Sequence, residues 1–248
     1  MKLTLAELAI QIPASIELFE KHQLDYYQNG KQTLLEACSQ SPLDYLAISA
    51  ELTHLLNNNP PHLDRDKLSI AWVLEFINSE YHESEKDVLE AIRDSIQNVL
   101  NEKHTDSEFV AKVESMGKTF SVLSRHFIRH CNREDEVLNP YIARLTELSA
   151  GVARLNQREL ASLNNPVASL ISEHRDAIEV WRFIKTSMDE FEIPVGAPVS
   201  YISLIESLKD FEKDLHMHMH LENNVLFPKC LALEEDLRRR VGAHSLQE

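Results

Sequence analysis

Glycine is scarce in this chain, 5 of 248 residues, and proline is held to 9. A sheet protein with many tight turns needs more of both, so a turn-rich β architecture is excluded and helices are favoured. Cysteine is sparser still. Cys38, Cys131 and Cys230 lie far apart and form no Cys-x-x-Cys pair, which excludes a disulfide framework and a thiolate zinc site; each reads as a free thiol. No apolar run approaches the roughly 20 residues of a membrane helix, and the start, Met1-Lys2-Leu3-Thr4-Leu5-Ala6-Glu7, lacks the apolar core of a signal peptide. The expected location is the cytoplasm. Positive charge is also short: 25 Lys+Arg stand against 40 Asp+Glu, a formal net charge of −15. Nucleic acid and anionic membrane are therefore repelled, and neither is an expected ligand.

What the chain does have is apolar content, 43% hydrophobic residues, enough to bury a core as one large or two small domains. Leu, Glu, Ala and Ile dominate, and the fold class expected is all-α with almost no strand. Thr4 followed by Glu7 has the spacing of a capping box and opens a first helical stretch that Pro13 interrupts. Asp25-Tyr26-Tyr27-Gln28-Asn29-Gly30 reads as a turn, followed by short helices over residues 32–39 and 43–56. Asn57-Asn58-Asn59-Pro60-Pro61 stops regular structure. Residues 1–57 are thus expected to form a small helical domain, 58–66 a linker, and 67–248 an up-down-up-down four-helix bundle. Its helices are expected to run from Ile70 through His82 to about Asn101, from Ser107 to Leu148, from Asn164 to near Glu192, and from Pro198 to Arg240.

One pattern, His-x3-Glu-x3-Leu-x-Pro, occurs twice, as His130, Glu134, Leu138, Pro140 and as His218, Glu222, Leu226, Pro228. A His and a Glu four residues apart lie about 40° apart around a helix and leave the same face. A metal can use both. Each copy has a partner histidine upstream, His82 and His174, in its own amphipathic stretch, and the four histidines recur at intervals of about 45 residues, enough for a helix to end, turn and return. Four helices then bring His82, His130, Glu134, His174, His218 and Glu222 to one level of a bundle core. Burying two carboxylates and four imidazoles without counter-charge costs many kcal/mol, which a pair of cations offsets. Histidine with carboxylate suits iron, manganese or zinc, with iron the first choice. If both glutamates bridge, the protein fills about eight of roughly twelve octahedral positions. An oxo bridge, solvent or a diatomic gas takes the others. Pro140 and Pro228, inside helices at equivalent places, predict a matched kink below each pair.

The neighbours divide. His220 projects about 200° from His218 and should face elsewhere. His126, one turn before His130, reads as a group supporting a ligand or as an additional ligand, with the first preferred; Asp214 has the same relation to His218. Glu173 and Tyr81 adjoin ligands and either orient them or serve in ordinary packing. His22, His54, His62, His104 and His244 carry no spacing signal and are expected at the surface.

Taken together these residues resemble the hemerythrin-like di-iron proteins, and more closely the iron-sulfur cluster repair (RIC) family among them. The most specific part is His218-x3-Glu222-Asn223-Asn224-Val225-Leu226-Phe227-Pro228, with the Tyr81-His82 and Glu173-His174 contexts and Gly30-Lys31-Gln32-Thr33-Leu34 in support. The resemblance spans nearly the whole chain. It implies a non-haem di-iron centre on the same six ligands, behind a small N-terminal domain, that protects or restores damaged iron-sulfur proteins under nitrosative or oxidative stress. Nitric oxide or oxygen is the implied small ligand. Where the family has a Cys-Cys pair, this chain has Tyr27 and Gln28, so any role needing those thiols is absent. A hemerythrin-like oxygen or nitric oxide sensor or carrier, and a di-iron oxidase or nitric oxide reductase, fit the same six residues. A homodimer through the N-terminal helices is compatible with the sequence, although no residue pattern singles it out.

Overall fold

The computed structural model describes residues 3–39, 42–58, 68–102, 107–151, 160 and 162–244, with side chains to residue 241. Among them the protein is helical throughout. Among the described residues the only β-type pairing is a single bridge between Thr4 and Thr33. The helices are α1 (Leu5–Gln11), α2 (Ser15–Lys21), α3 (Leu34–Ser39), α4 (Tyr45–Asn58), α5 (Ile70–Ile77), α6 (Ser84–Asn101), α7 (Ser107–Arg133), α8 (Asn139–Ser149), α9 (Asn164–Ser187), α10 (Val199–Leu221) and α11 (Phe227–His244). Most of the segment expected as a linker, residues 59–66, lies outside the described residues.

Two compact units can be distinguished. One takes in Phe76–Arg144 and Asn164–Leu215, hence α6, α7, α9 and most of α10. These are the four rods of the bundle. Here α7 packs on α6 and on α9. Gly117 permits the close approach of α6, since a Cβ there would stand 2.9 Å from Ile96 Cγ2. Phe211 of α10 sits edge-on to Phe120 and Phe127 of α7 and to Trp181 of α9. All four rings are buried, Trp181 and Phe120 completely, and aromatic pairs in this geometry add to the stabilisation from area burial.

The other unit comprises Met1–Glu75, Leu145–Leu163 and His216–Glu248. The division from the first falls inside the unbroken helix α10. Thr4 caps α1 as its spacing predicts: the Glu7 amide donates to Thr4 Oγ1 and the Thr4 amide to Glu7 Oε2. Thr33 and Glu36 repeat the device at α3. The 25–30 turn forms because Asp25 Oδ1 accepts the amides of Gln28 and Asn29, at 2.8 and 3.3 Å. Asn224 Nδ2 donates to the carbonyls of Tyr26 and Tyr27, and Asn223 Nδ2 to that of Tyr27. The two asparagines that follow Glu222 thus hold this turn. Gly30 closes it in a space that excludes a side chain, because a Cβ there would lie 2.4 Å from the Tyr26 carbonyl oxygen and 2.8 Å from Ala6 Cβ. Gly30→Ala is expected to destabilise the protein by about 1–3 kcal/mol, the usual cost of overpacking. A denaturant midpoint equal to that of wild type would show that the turn can yield.

The matched kinks take a different form. Glu134–Leu138 and Glu222–Leu226 are π-helical turns, closed by bonds from the Asn139 amide to the Glu134 carbonyl and from the Phe227 amide to the Glu222 carbonyl. A third, Asn78–His82, closes from the Glu83 amide to the Asn78 carbonyl and has no proline near it. Proline is therefore not the common cause. Pro140 and Pro228 each stand second in the helix that restarts after the wide turn, where a missing N–H costs little. All three π-turns begin or end on a proposed metal ligand, and functional sites are where such turns concentrate.

Candidate metal centre

Each of the six residues singled out by spacing is buried: His82 is 2% exposed, His130 5%, Glu134 1%, His174 1%, His218 0% and Glu222 1%. Glu134 Oε2 lies 3.4 Å from His82 Nε2 and 3.5 Å from His130 Nε2, nearly equidistant from imidazoles on two different helices. His174 Nε2 is 2.9 Å from His130 Nε2. His218 Nε2 is 3.1 Å from Glu222 Oε1, one turn along, as the four-residue spacing requires. Two sets of buried ligand atoms result, His82, Glu134, His218 and Glu222 in one, His130, Glu134, His174 and Glu222 in the other. Within each set all four atoms lie within 4.8 Å of one another. Each set has two imidazoles of its own, and both carboxylates are common to the two.

Carboxylates behind two of the imidazoles fix which nitrogen faces inward. Asp135 Oδ1 is 2.6 Å from His82 Nδ1, and Glu173 Oε2 is 3.0 Å from His130 Nδ1. A carboxylate there keeps the proton on Nδ1 and leaves the Nε2 lone pair free to bind a cation. Asp135 also accepts from Asn139 Nδ2 at 3.1 Å, and Asn139 donates to Asn78 Oδ1 at 3.0 Å. Glu173 takes Arg133 Nη2 on both oxygens at 2.6 Å and Ser169 Oγ at 3.2 Å. Burial acts to raise the Glu173 carboxyl, but hydrogen bonds from Arg133 and His130 outweigh it and hold the group below the ordinary carboxylate range. Glu173 therefore orients the His130 imidazole, not that of His174, its neighbour in sequence.

Negative charge gathers on one flank. Glu85 is buried and accepts a weak bond from the Cys131 thiol, 3.8 Å. Burial first, then Glu85 and Asp210, push the Asp214 carboxyl up, with Lys213 opposing. The Tyr81 phenol is raised by burial and then by Asp214, Glu85 and Glu80, and its ring packs edge-on against Phe76. A cation is favoured beside such a flank. All three cysteines are buried and none is in a disulfide, and burial pushes the Cys230 thiol up to about 12. No thiol joins the ligand sets.

Two expectations need correction. His126 is exposed and belongs to neither set, because the buried face of α7 runs from His130 through Phe127, Leu123 and Phe120, and the four-residue step turns His126 about 40° from His130 on the side away from that face. Asp214 also lies at the surface, its carboxyl only partly desolvated, and is absent from both sets; it contributes to the acidic flank instead. His220 is absent from both sets, and its buried ring lies 3.3 Å from the Tyr26 carbonyl oxygen and 5.3 Å from the Tyr26 ring. His54 is exposed and His22 half-buried; His62, His104 and the His244 side chain lie outside the described residues. Sequence reasoning passed over Asp135 and His216. His216 is buried, stacks on Tyr27 with ring centroids 3.8 Å apart, and lies 2.9 Å from Glu20 Oε1. Asp135 could have been sought by asking what holds each histidine's second nitrogen. For His216 the only signal is its place in a His-rich turn.

Buried imidazoles and carboxylates converging from separate helices define a metal-binding helical bundle protein, and the donor set fits a metal centre, since without a cation the carboxylate charge has too little to offset its burial. The family model described as the hemerythrin HHE cation binding domain matches residues 79–230, and one described as a domain of unknown function (DUF542) matches residues 2–56. The chain is 31% identical over 231 residues to the iron-sulfur cluster repair protein YtfE of Citrobacter koseri, covering 93% of this chain and 97% of that one. It is 32% identical over 233 residues to the protein of that name from Cronobacter sakazakii, with the same coverage, and 29% over 227 residues to that of Edwardsiella ictaluri, covering 92% and 96%. The chain belongs to the hemerythrin-like family of iron-sulfur cluster repair proteins.

Proposed function

We propose that His82, His130, Glu134, His174, His218 and Glu222 hold two iron ions, oxo-bridged, and that the protein repairs or protects iron-sulfur clusters under nitrosative or oxidative stress by donating iron. The observation that carries the reading is the sharing of Glu134 and Glu222 between two sets of ligand atoms, in a chain similar along its length to proteins named for cluster repair. Residues 1–57 serve in it as an N-terminal domain and 67–248 as the metal-binding bundle. Iron bound here supplies an exchangeable, redox-active cation. The residues do the rest: the two carboxylates place their charge between the positions, the imidazoles present Nε2, and Asp135 and Glu173 hold two rings in orientation. No helix among the described residues is long and apolar enough to cross a membrane, which accords with clients in the cytoplasm. Addition of the iron-loaded protein to a damaged aconitase-type enzyme is expected to restore more activity than the same concentration of free ferrous iron. Equal recovery from the two rejects donation.

A second reading, reversible binding of nitric oxide or oxygen, draws on the ligand count. Protein groups fill about eight of roughly twelve octahedral positions, which leaves room for a diatomic ligand. Anaerobic titration with nitric oxide distinguishes it: saturable spectral changes that reverse on gas removal support a sensor or carrier, and continuous gas consumption with a reductant points to an oxidase or reductase.

A further inference from the structure

Two carboxylates stand behind the ligands, one behind His82 and one behind His130, and these imidazoles belong to different ligand sets. Their side chains are equally accessible, at 35% each, so solvent screens both alike. Their other partners differ. Asp135 shares its charge with a neutral amide, Asn139 Nδ2 at 3.1 Å. Glu173 shares its charge with the Arg133 guanidinium, 2.6 Å from both oxygens, and with Ser169 Oγ. The contact to the imidazole follows suit, 2.6 Å for Asp135 and 3.0 Å for Glu173. A carboxylate whose charge a cation already takes up polarises an imidazole N–H less, and the opposite nitrogen is then the weaker donor.

We propose that Asp135 and the Arg133–Glu173 pair make the two metal positions unequal, so that the ion bound through His130 and His174 is the one released first and the ion bound through His82 is retained. The inference rests on the six-ligand reading above and adds to it a direction of exchange. Asp135, Glu173 and Arg133 are positioning residues that act through the imidazoles. The pair on His130 is the labile-side adjustment, and Arg133 sets it: the arginine withdraws charge from Glu173 that would otherwise strengthen His130 as a donor. The Arg133 side chain is 47% exposed, where a solution ion or an acidic surface on a client can compete for it.

The test is the release of ferrous iron to a strong ferrous chelator, followed anaerobically by absorbance, from the full chain loaded with iron. Wild type is expected to release its iron in two phases of equal amplitude. Asp135→Asn should accelerate the slow phase alone, and Glu173→Gln the fast phase alone, each by about 10- to 100-fold, the usual effect of losing a group behind a metal-bound histidine. Arg133→Gln discriminates further, because it should slow the fast phase, whereas an arginine that merely orients Glu173 would leave that phase faster when removed. A single phase in wild type, both carboxylate variants acting on the same phase, or faster release from Arg133→Gln each overturns the proposal while two irons per chain remain bound. Fewer than two irons in loaded wild type overturns the centre itself, and is read from stoichiometry before any variant is made.

Discussion

Glu134→Ala is expected to leave the protein with no retained iron, and His174→Ala to leave it with about half, after anaerobic loading and desalting. The asymmetry follows from how the ligand atoms are shared. Glu134 belongs to both sets, His174 to one. Deleting the carboxylate takes a negative donor from both positions at once and leaves each with two imidazoles and Glu222; metal affinity depends on the number and charge of ligands, so both positions weaken together. Glu222→Ala should behave as Glu134→Ala does, and His82→Ala, His130→Ala and His218→Ala as His174→Ala does. Elemental analysis against protein concentration checks the series, with far-ultraviolet circular dichroism to establish that each variant is folded. A Glu134→Ala chain that keeps one iron as firmly as wild type would show that the glutamate serves a single position, and the reading of two bridging carboxylates would fall.

The pairing of His130 with Glu134 and of His218 with Glu222 was legible in the sequence because helical geometry is local: a histidine and a glutamate four residues apart must share a face, whatever the rest of the chain does. The capping box at Thr4 was legible for the same reason. What escaped was set by choices between helices or by hydrogen-bond register. Asp135 follows a ligand directly in sequence, and a step of about 100° around the helix ordinarily points a residue away from its neighbour's target. It meets His82 because the π-turn begins at Glu134 and because α6 packs against α7. No residue preference distinguishes a bond to the fifth preceding carbonyl from one to the fourth, so the three π-turns carried no signal beyond the prolines, and the proline reading covers two of the three. His126 misled in the opposite sense. The rule that put Glu134 beside His130 also put His126 near it, but the buried face of α7 continues through Phe127 and Leu123 and passes His126 by, and which side of a stripe meets solvent depends on helices elsewhere in the chain. The Glu173 side chain was identified as a neighbour of His174 yet serves His130, a contact that needs the register of α7 against α9.

Removal of metal should cost the fold heavily, and the loss should vanish in variants that cannot bind it. The free chain holds two carboxylates and four imidazoles in two clusters within 4.8 Å, all at most 5% exposed. Burial of this kind is unfavourable for any charged form. Iron present at about 1,000 times its dissociation constant stabilises a single site by roughly 4 kcal/mol, and for a chain of this size each kcal/mol moves the thermal midpoint by roughly 2–4 °C. Chelation of wild type is therefore expected to lower the midpoint by roughly 8–16 °C for one position alone. Glu222→Gln removes a buried charge and one bridging group together. Its midpoint should not respond to chelator, and without metal it should lie at or above that of metal-free wild type, since an amide of nearly the same shape is cheaper to bury than a carboxylate. Differential scanning calorimetry of both chains, with and without chelator, measures all four midpoints. Should metal-free wild type melt where the loaded protein does, the six groups would have to be satisfied without a cation, and their convergence would be a feature of packing alone.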